Sequence, residues 1–135
     1  MTRLLFAVLA ALALATATPA QEAETGVQDT ITSQLEAFTE RDVVTAFTFA
    51  SPMIQGMFGT PENFGMMVER GYPMVWNNDD VRFGEQREMR GMLLQRVYLR
   101  DTNGTLHALE YAMIPGPQGW LINGVTLVPL PDVGA

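Results

Sequence analysis

The chain has 135 residues, no cysteine and a single histidine, and its formal net charge is −7 at pH 7. Every cation is arginine, so the absence of cysteine and lysine excludes thiol nucleophiles, thiolate metal ligands and Schiff-base chemistry. An acidic surface repels phosphate groups, and we therefore expect no nucleic acid and no anionic membrane surface as a partner.

The first twenty residues have the pattern of a secretory signal peptide. Arg3 supplies a positive charge, an apolar run extends from Leu4 to Leu14, and small residues follow. The run is shorter than the ~20 residues that span a bilayer. We predict a signal peptide over residues 1–20 that is cleaved after Ala20, or alternatively after Ala17. The mature protein would then be periplasmic or secreted, with no stable membrane anchor.

The remaining sequence is the length of one domain. Residues 21–28 are polar and are predicted to form a flexible leader, residues 29–130 a single domain, and residues 131–135 a C-terminal tail.

Three helical segments are predicted in the first half of the domain. The first has apolar residues at helical spacing after Asp29 or Thr30, the second follows Asp42 as its N-cap, and Ser51-Pro52 can begin one more turn. The third and clearest helical segment begins after Thr60, with proline at its first position, and ends near Gly71.

Strand patterns follow a predicted turn at residues 77–80. The apolar period changes from helical spacing to two at Val81, and four strands are predicted: one from Val81 through Phe83, then Met92–Arg100, Thr105–Ile114 and Trp120–Val128. Helices followed by an antiparallel meander predict an α+β fold, with three helical segments packed on one face of a curved four-stranded sheet.

The turn after Asp101 decides which side chains face the helices. A two-residue loop centred on Asn103-Gly104 would bury a charge on either face of the hairpin. A three-residue loop pairs Asp101 with Thr105, requires a left-handed conformation at Gly104, and leaves one face almost wholly apolar. We therefore predict the three-residue loop.

This register places three side chains that end in a polar group on the apolar face: Gln95, His107 and Tyr111. A buried polar group must find a hydrogen-bond partner or face a wet cavity. One interpretation is that these residues are satisfied by backbone or water within a closed core. The other is that they and Trp76 form a ligand-binding pocket.

Several segments resemble one family of short bacterial proteins, the domain of unknown function 4864 family. The segments that carry the resemblance are Ile31–Phe38, Ala46–Pro52, Thr60–Phe64, Gly71–Trp76 and Gly119–Val125. The resemblance implies no activity. The order of helices and strands is more distantly similar to the nuclear transport factor 2-like (cystatin-like) fold, whose members form a cone-shaped cavity between helices and sheet.

No catalytic signature is present, and one histidine cannot build a multi-histidine metal site. We therefore predict no catalytic residue, no metal and no cofactor. The favoured function is non-catalytic binding of a small apolar ligand or a protein partner. The alternatives are an isomerase-like or dehydratase-like enzyme acting on a small hydrophobic substrate in the same cavity, and a structural homodimer that buries the outer sheet face around Tyr98.

Overall fold

The computed structural model describes residues 10–130. The start of the predicted signal peptide, including Arg3, and the predicted tail at 131–135 lie outside the described residues. Within the described range, five helices precede four strands: α1 Pro19–Thr39, α2 Val43–Thr48, α3 Pro52–Phe58, α4 Pro61–Gly71, α5 Pro73–Trp76, β1 Asn78–Met89, β2 Met92–Asp101, β3 Leu106–Gly116 and β4 Gly119–Val128. No helix in this range combines the length and apolar character needed to cross a membrane.

The strands form one antiparallel sheet in the order β1-β2-β3-β4, and the helices pack on one of its faces. The predicted α+β fold is therefore confirmed. The register at the β2–β3 turn is also confirmed, because Leu99 pairs with His107 and Gly104 has φ +81°. The backbone N–H of Asp101 donates to the Thr105 carbonyl at 3.0 Å, which closes the three-residue loop.

The predicted caps of the middle helices are confirmed. The side chains of Asp42, Ser51 and Thr60 each accept a hydrogen bond from a backbone N–H in the first turn of α2, α3 and α4. These polar residues satisfy N–H groups that have no partner within the helix, and so they fix where each helix begins.

Helix α1 begins at Pro19, well before the start predicted after Asp29 or Thr30, and residues 21–28, predicted to form a flexible leader, are helical. Val27 is fully buried and extends the apolar stripe of Ile31 by one helical turn. Gly26 permits a close approach to β4, because a Cβ there would lie 2.8 Å from Cδ1 of Trp120. The apolar stripe of α1 continues into residues 21–28 through Val27 alone, and a single apolar residue did not predict a helix there.

The predicted turn at residues 77–80 is also wrong, because β1 begins at Asn78. The buried side-chain amide of Asn78 donates to the carbonyls of Leu35 and Val75, at 3.0 and 2.8 Å. These two bonds tie α1, α5 and the first strand together, so this asparagine acts as an anchor rather than as a turn residue.

The two faces of the sheet differ as the register predicts. Val97, Leu99 and Leu109 are fully buried against the helices. On the outer face, the Glu110 carboxylate accepts hydrogen bonds from Arg87 at 3.0 Å and Arg96 at 3.2 Å. Burial by itself raises the pKa of the Glu110 carboxyl, but these hydrogen bonds outweigh burial and hold the pKa below its usual range.

The link between α2 and α3 pairs directly with β4. Ala50 and Ile122 form an isolated parallel bridge, and the backbone N–H of Ser51 donates to the Ile122 carbonyl at 2.8 Å. The Ser51 hydroxyl also donates to the side-chain oxygen of Asn123 at 2.8 Å. These bonds fix the distance between the helical layer and the last strand.

Candidate functional site

A cavity of about 210 Å³ lies between the helical layer and the inner face of β3 and β4. Its wall is mainly aromatic and aliphatic, with side chains from α1, α3, α4 and the two strands. The residues that define this wall include Phe38, Ile54, Phe58, Phe64, Val68 and Ile122. Three further lining residues carry polar groups: Gln34, Tyr72 and Tyr111. A mostly apolar concavity with a few polar groups is the usual form of a small-molecule site.

Tyr111 is the predicted site residue that lines this cavity. Its side chain is fully buried, and its hydroxyl has no hydrogen-bond partner in the described part of the chain. Burial, with a smaller contribution from nearby Tyr72, raises the pKa of the Tyr111 hydroxyl well above its usual value. The group therefore stays protonated at neutral pH and can donate a hydrogen bond.

The other two polar lining residues have partners. The hydroxyl of Tyr72 donates to the Val125 carbonyl at 3.0 Å, which joins the end of α4 to β4 across the cavity wall. The Gln34 amide donates to the Ala46 carbonyl at 3.1 Å. One such bond leaves the amide oxygen and the second N–H of Gln34 able to bind another group.

The cavity meets solvent at α3. Met57 lines the cavity and yet is 64% exposed, and α3 contributes no fully buried side chain. Ile54 and Phe58 of the same helix are half-buried against the core. Helix α3 therefore forms the outer wall of the cavity, and Met57 marks its rim.

The structure places Gln95, predicted as a pocket residue, outside the lining of this cavity. Gln95 is fully buried, but its amide donates to the carbonyls of Gly84 and Arg96 at 3.0 and 2.9 Å. Its oxygen accepts a hydrogen bond from Gln86 at 2.8 Å. These bonds fill the irregularity in β1 between Phe83 and Gln86, where the strand pairing shifts.

His107, also predicted as a pocket residue, does not line this cavity either. Its Nε2 is 2.8 Å from the Asp101 carboxylate, at the β2–β3 turn. The other Asp101 oxygen accepts hydrogen bonds from the backbone of Asn103 and Thr105. The hydrogen bond with His107, followed by those from the backbone, holds the pKa of Asp101 below its usual range despite some desolvation. The pair therefore stabilises the turn.

Trp76 is the third predicted site residue that does not line the cavity. It lies in the one-turn helix α5, with its ring 6.0 Å from that of Phe38. The Arg41 guanidinium lies 4.4 Å from the ring centroid and donates to the Trp76 carbonyl at 2.6 Å. Cation–π contact and hydrogen bond together explain its position.

A second depression, of about 350 Å³, lies beside the β3–β4 hairpin and is lined by Thr30, Phe49 and Trp120 among others. Its volume is larger, but its polar groups include the Thr30 hydroxyl, which already donates to the Trp120 carbonyl at 3.1 Å. The first cavity is the candidate site because its wall is mainly apolar and includes Tyr111, whose buried hydroxyl has no partner in the described part of the chain.

Gln34 and Tyr72 line the cavity but were not predicted as site residues. A usable signal was present for Gln34, because this polar side chain interrupts the apolar stripe of Ile31, Leu35 and Phe38 on α1. The position of Tyr72 depends on how the end of α4 meets β4, and no local pattern encodes that contact.

The sequence was compared with known families, proteins and structures. The family model described as Domain of unknown function (DUF4864) matches residues 20–135. Neither the curated proteins nor the solved structures gave a significant match. The matched range covers most of the chain and includes every element that forms the cavity, from α1 to β4. The chain therefore belongs to the DUF4864 family.

Proposed function

We propose that this protein is exported and binds a small apolar ligand in the cavity between its helices and its sheet. The observation that carries the proposal is that Tyr111 lines an apolar cavity and has a fully buried hydroxyl without a hydrogen-bond partner in the described part of the chain. Leaving a buried hydroxyl unpaired costs about 1–3 kcal/mol, so a binding partner for it would stabilise the protein.

The size of the cavity supports a small ligand. An apolar cavity of about 150 Å³ is large enough to bind benzene. The present cavity, at about 210 Å³, has room for a ring with one short substituent. The similarity in layout to nuclear transport factor 2-like domains, which form a cavity in the same place, supports the same proposal.

The composition of the wall favours binding over catalysis. Within residues 10–130, the lining contains no carboxylate and no imidazole, and Glu110 lies on the outer face, in ion pairs with Arg87 and Arg96. An isomerase-like or dehydratase-like reaction needs a group that accepts a proton from the substrate.

The same outer face argues against a purely structural homodimer. Such a dimer would need an apolar patch there, whereas the centre of this face carries the ion pairs of Glu110. We therefore favour a ligand-binding monomer over the homodimer.

Blocking the cavity tests the proposal. Val68 lines the cavity, so Val68→Phe should place a ring inside it and abolish binding of toluene, measured by NMR titration of the purified protein. The matched control is Val44→Phe, because Val44 is 58% exposed on α2 and does not line the cavity. This control should bind toluene as the unmodified protein does.

Thermal unfolding of both variants checks that the fold is retained. Two results would contradict the proposal: no toluene binding by the unmodified protein, or undiminished binding by a folded Val68→Phe variant.

A further inference from the structure

We propose that the ligand is an uncharged molecule about the size of one substituted ring, and that it carries an oxygen that accepts a hydrogen bond from Tyr111. This inference rests on the proposed function and specifies the chemistry of its ligand. It follows from the hydrogen-bonding groups of the cavity wall and from the lack of charged side chains among the described residues that line it.

The cavity offers a hydrogen-bond donor. The Tyr111 hydroxyl is buried and unpartnered, whereas the neighbouring Tyr72 hydroxyl has already donated its proton to the Val125 carbonyl. A hydroxyl has one donor and two acceptor positions, so the need of Tyr111 is met by a ligand atom that accepts. A carbonyl, ether or hydroxyl oxygen satisfies that need, and a hydrocarbon does not.

The cavity lacks a charge that could hold an ion. Within the described range, its lining contains no arginine, histidine, aspartate or glutamate. A carboxylate or an ammonium group would lose its water on entering and would gain no opposite charge in return. Neutral ligands therefore bind, and their charged analogues of the same shape do not.

A second polar residue of the wall, Gln34, further specifies the chemistry of the ligand. Gln34 is held by its bond to the Ala46 carbonyl and lines the same cavity as Tyr111. Its remaining N–H and oxygen can bind a second polar atom on the ligand. One acceptor oxygen is the minimum requirement, and a second polar group is tolerated.

A pair of probes of nearly equal shape tests the inference. Acetophenone and α-methylstyrene differ mainly in a carbonyl oxygen that is replaced by a CH₂ group. We expect acetophenone to bind the purified protein roughly three- to tenfold more tightly, which is the usual effect of one hydrogen bond. Benzoate, of similar size but negatively charged, should show no binding under the same conditions.

Two variants identify the donor. Tyr111→Phe should remove the preference for acetophenone while α-methylstyrene binds as before, and it should raise the melting temperature, because phenylalanine leaves no buried hydroxyl unpaired. The matched control is Tyr72→Phe, which removes a hydroxyl whose proton is already used. This control should lower the melting temperature and keep the preference.

The outcomes separate this inference from the proposed function. If α-methylstyrene binds as tightly as acetophenone, or if benzoate binds equally well, the inference is wrong and the cavity is still a ligand site. If the preference survives in Tyr111→Phe, the assigned donor is wrong. If none of the three probes binds although toluene does, the inference is wrong and the cavity is still a ligand site; if toluene does not bind either, the proposed function fails as well.

Discussion

Helix α1 packs against β4 through a glycine, and the substitution Gly26→Ala tests that contact. Alanine is favoured over glycine in a helix by about 1 kcal/mol, so the change would stabilise a helix that is free on this side. In the structure, however, the new Cβ would lie 2.8 Å from Cδ1 and 3.2 Å from Nε1 of Trp120. Overpacking of this kind typically costs about 1–3 kcal/mol, because a rigid indole must move. We expect Gly26→Ala to lower the free energy of unfolding by up to about 2 kcal/mol.

The control is Gly56→Ala in α3, since no atom lies within 4 Å of a Cβ added at Gly56. This variant should gain up to about 1 kcal/mol from helix propensity alone. Urea unfolding of both variants, followed by circular dichroism, gives the two free energies. If Gly26→Ala is stabilised as much as Gly56→Ala, the helix is free on this side and α1 does not pack on Trp120.

Three further results are expected. Gly104→Ala should lower the free energy of unfolding by about 1–2 kcal/mol, because φ +81° is unfavourable for a residue with a Cβ; an unchanged value would contradict the three-residue turn. The pKa of Glu110 is lower in the folded state than in the unfolded state, so its ion pairs stabilise the protein above the unfolded pKa and lose this effect as pH falls through the folded pKa. Denaturation midpoints measured against pH should therefore fall less steeply at acidic pH in Glu110→Gln. Intact mass of the exported protein should place its first residue at Gln21 or at Thr18, and recovery of the uncleaved chain would contradict the signal peptide.

The position of the N-terminus matters to the fold as well as to export. Thr18 and Gln21 form a capping box at the start of α1, in which each side chain accepts a hydrogen bond from the other's backbone N–H. Cleavage after Ala17 would keep this box, and cleavage after Ala20 would remove it. A lost cap typically costs about 1 kcal/mol, so the two mature forms should differ in stability.

The face of the sheet on which each side chain lies could be predicted from the sequence, because alternate residues of a strand point to opposite faces. Once the turn at Gly104 fixed the pairing, every second residue of β2 and β3 had to face the helices. This argument correctly placed Tyr111 inside and Glu110 outside. It could not say how far along the inner face the cavity extends.

The missed site assignments have physical causes that local patterns do not encode. Gln95 was expected at a pocket, but the pairing shift in β1 presents backbone carbonyls that its amide binds. His107 lies on the inner face beside the turn, within reach of Asp101. The three-residue loop put both side chains on the same face, so this pair could have been foreseen from the register alone.

The cavity persists because the helical layer is held to β4 at fixed points. The bridge between Ala50 and Ile122 sets the spacing on one side, and the hydrogen bond from Tyr72 to Val125 sets it at the end of α4. Helix α3 lies between these two contacts in the sequence, so the segment that contains it is held to β4 at both ends. An interior void loses packing contacts, and an unpaired hydroxyl adds a cost of about 1–3 kcal/mol. Under the proposed function, a ligand with an acceptor oxygen would offset both costs in one binding step.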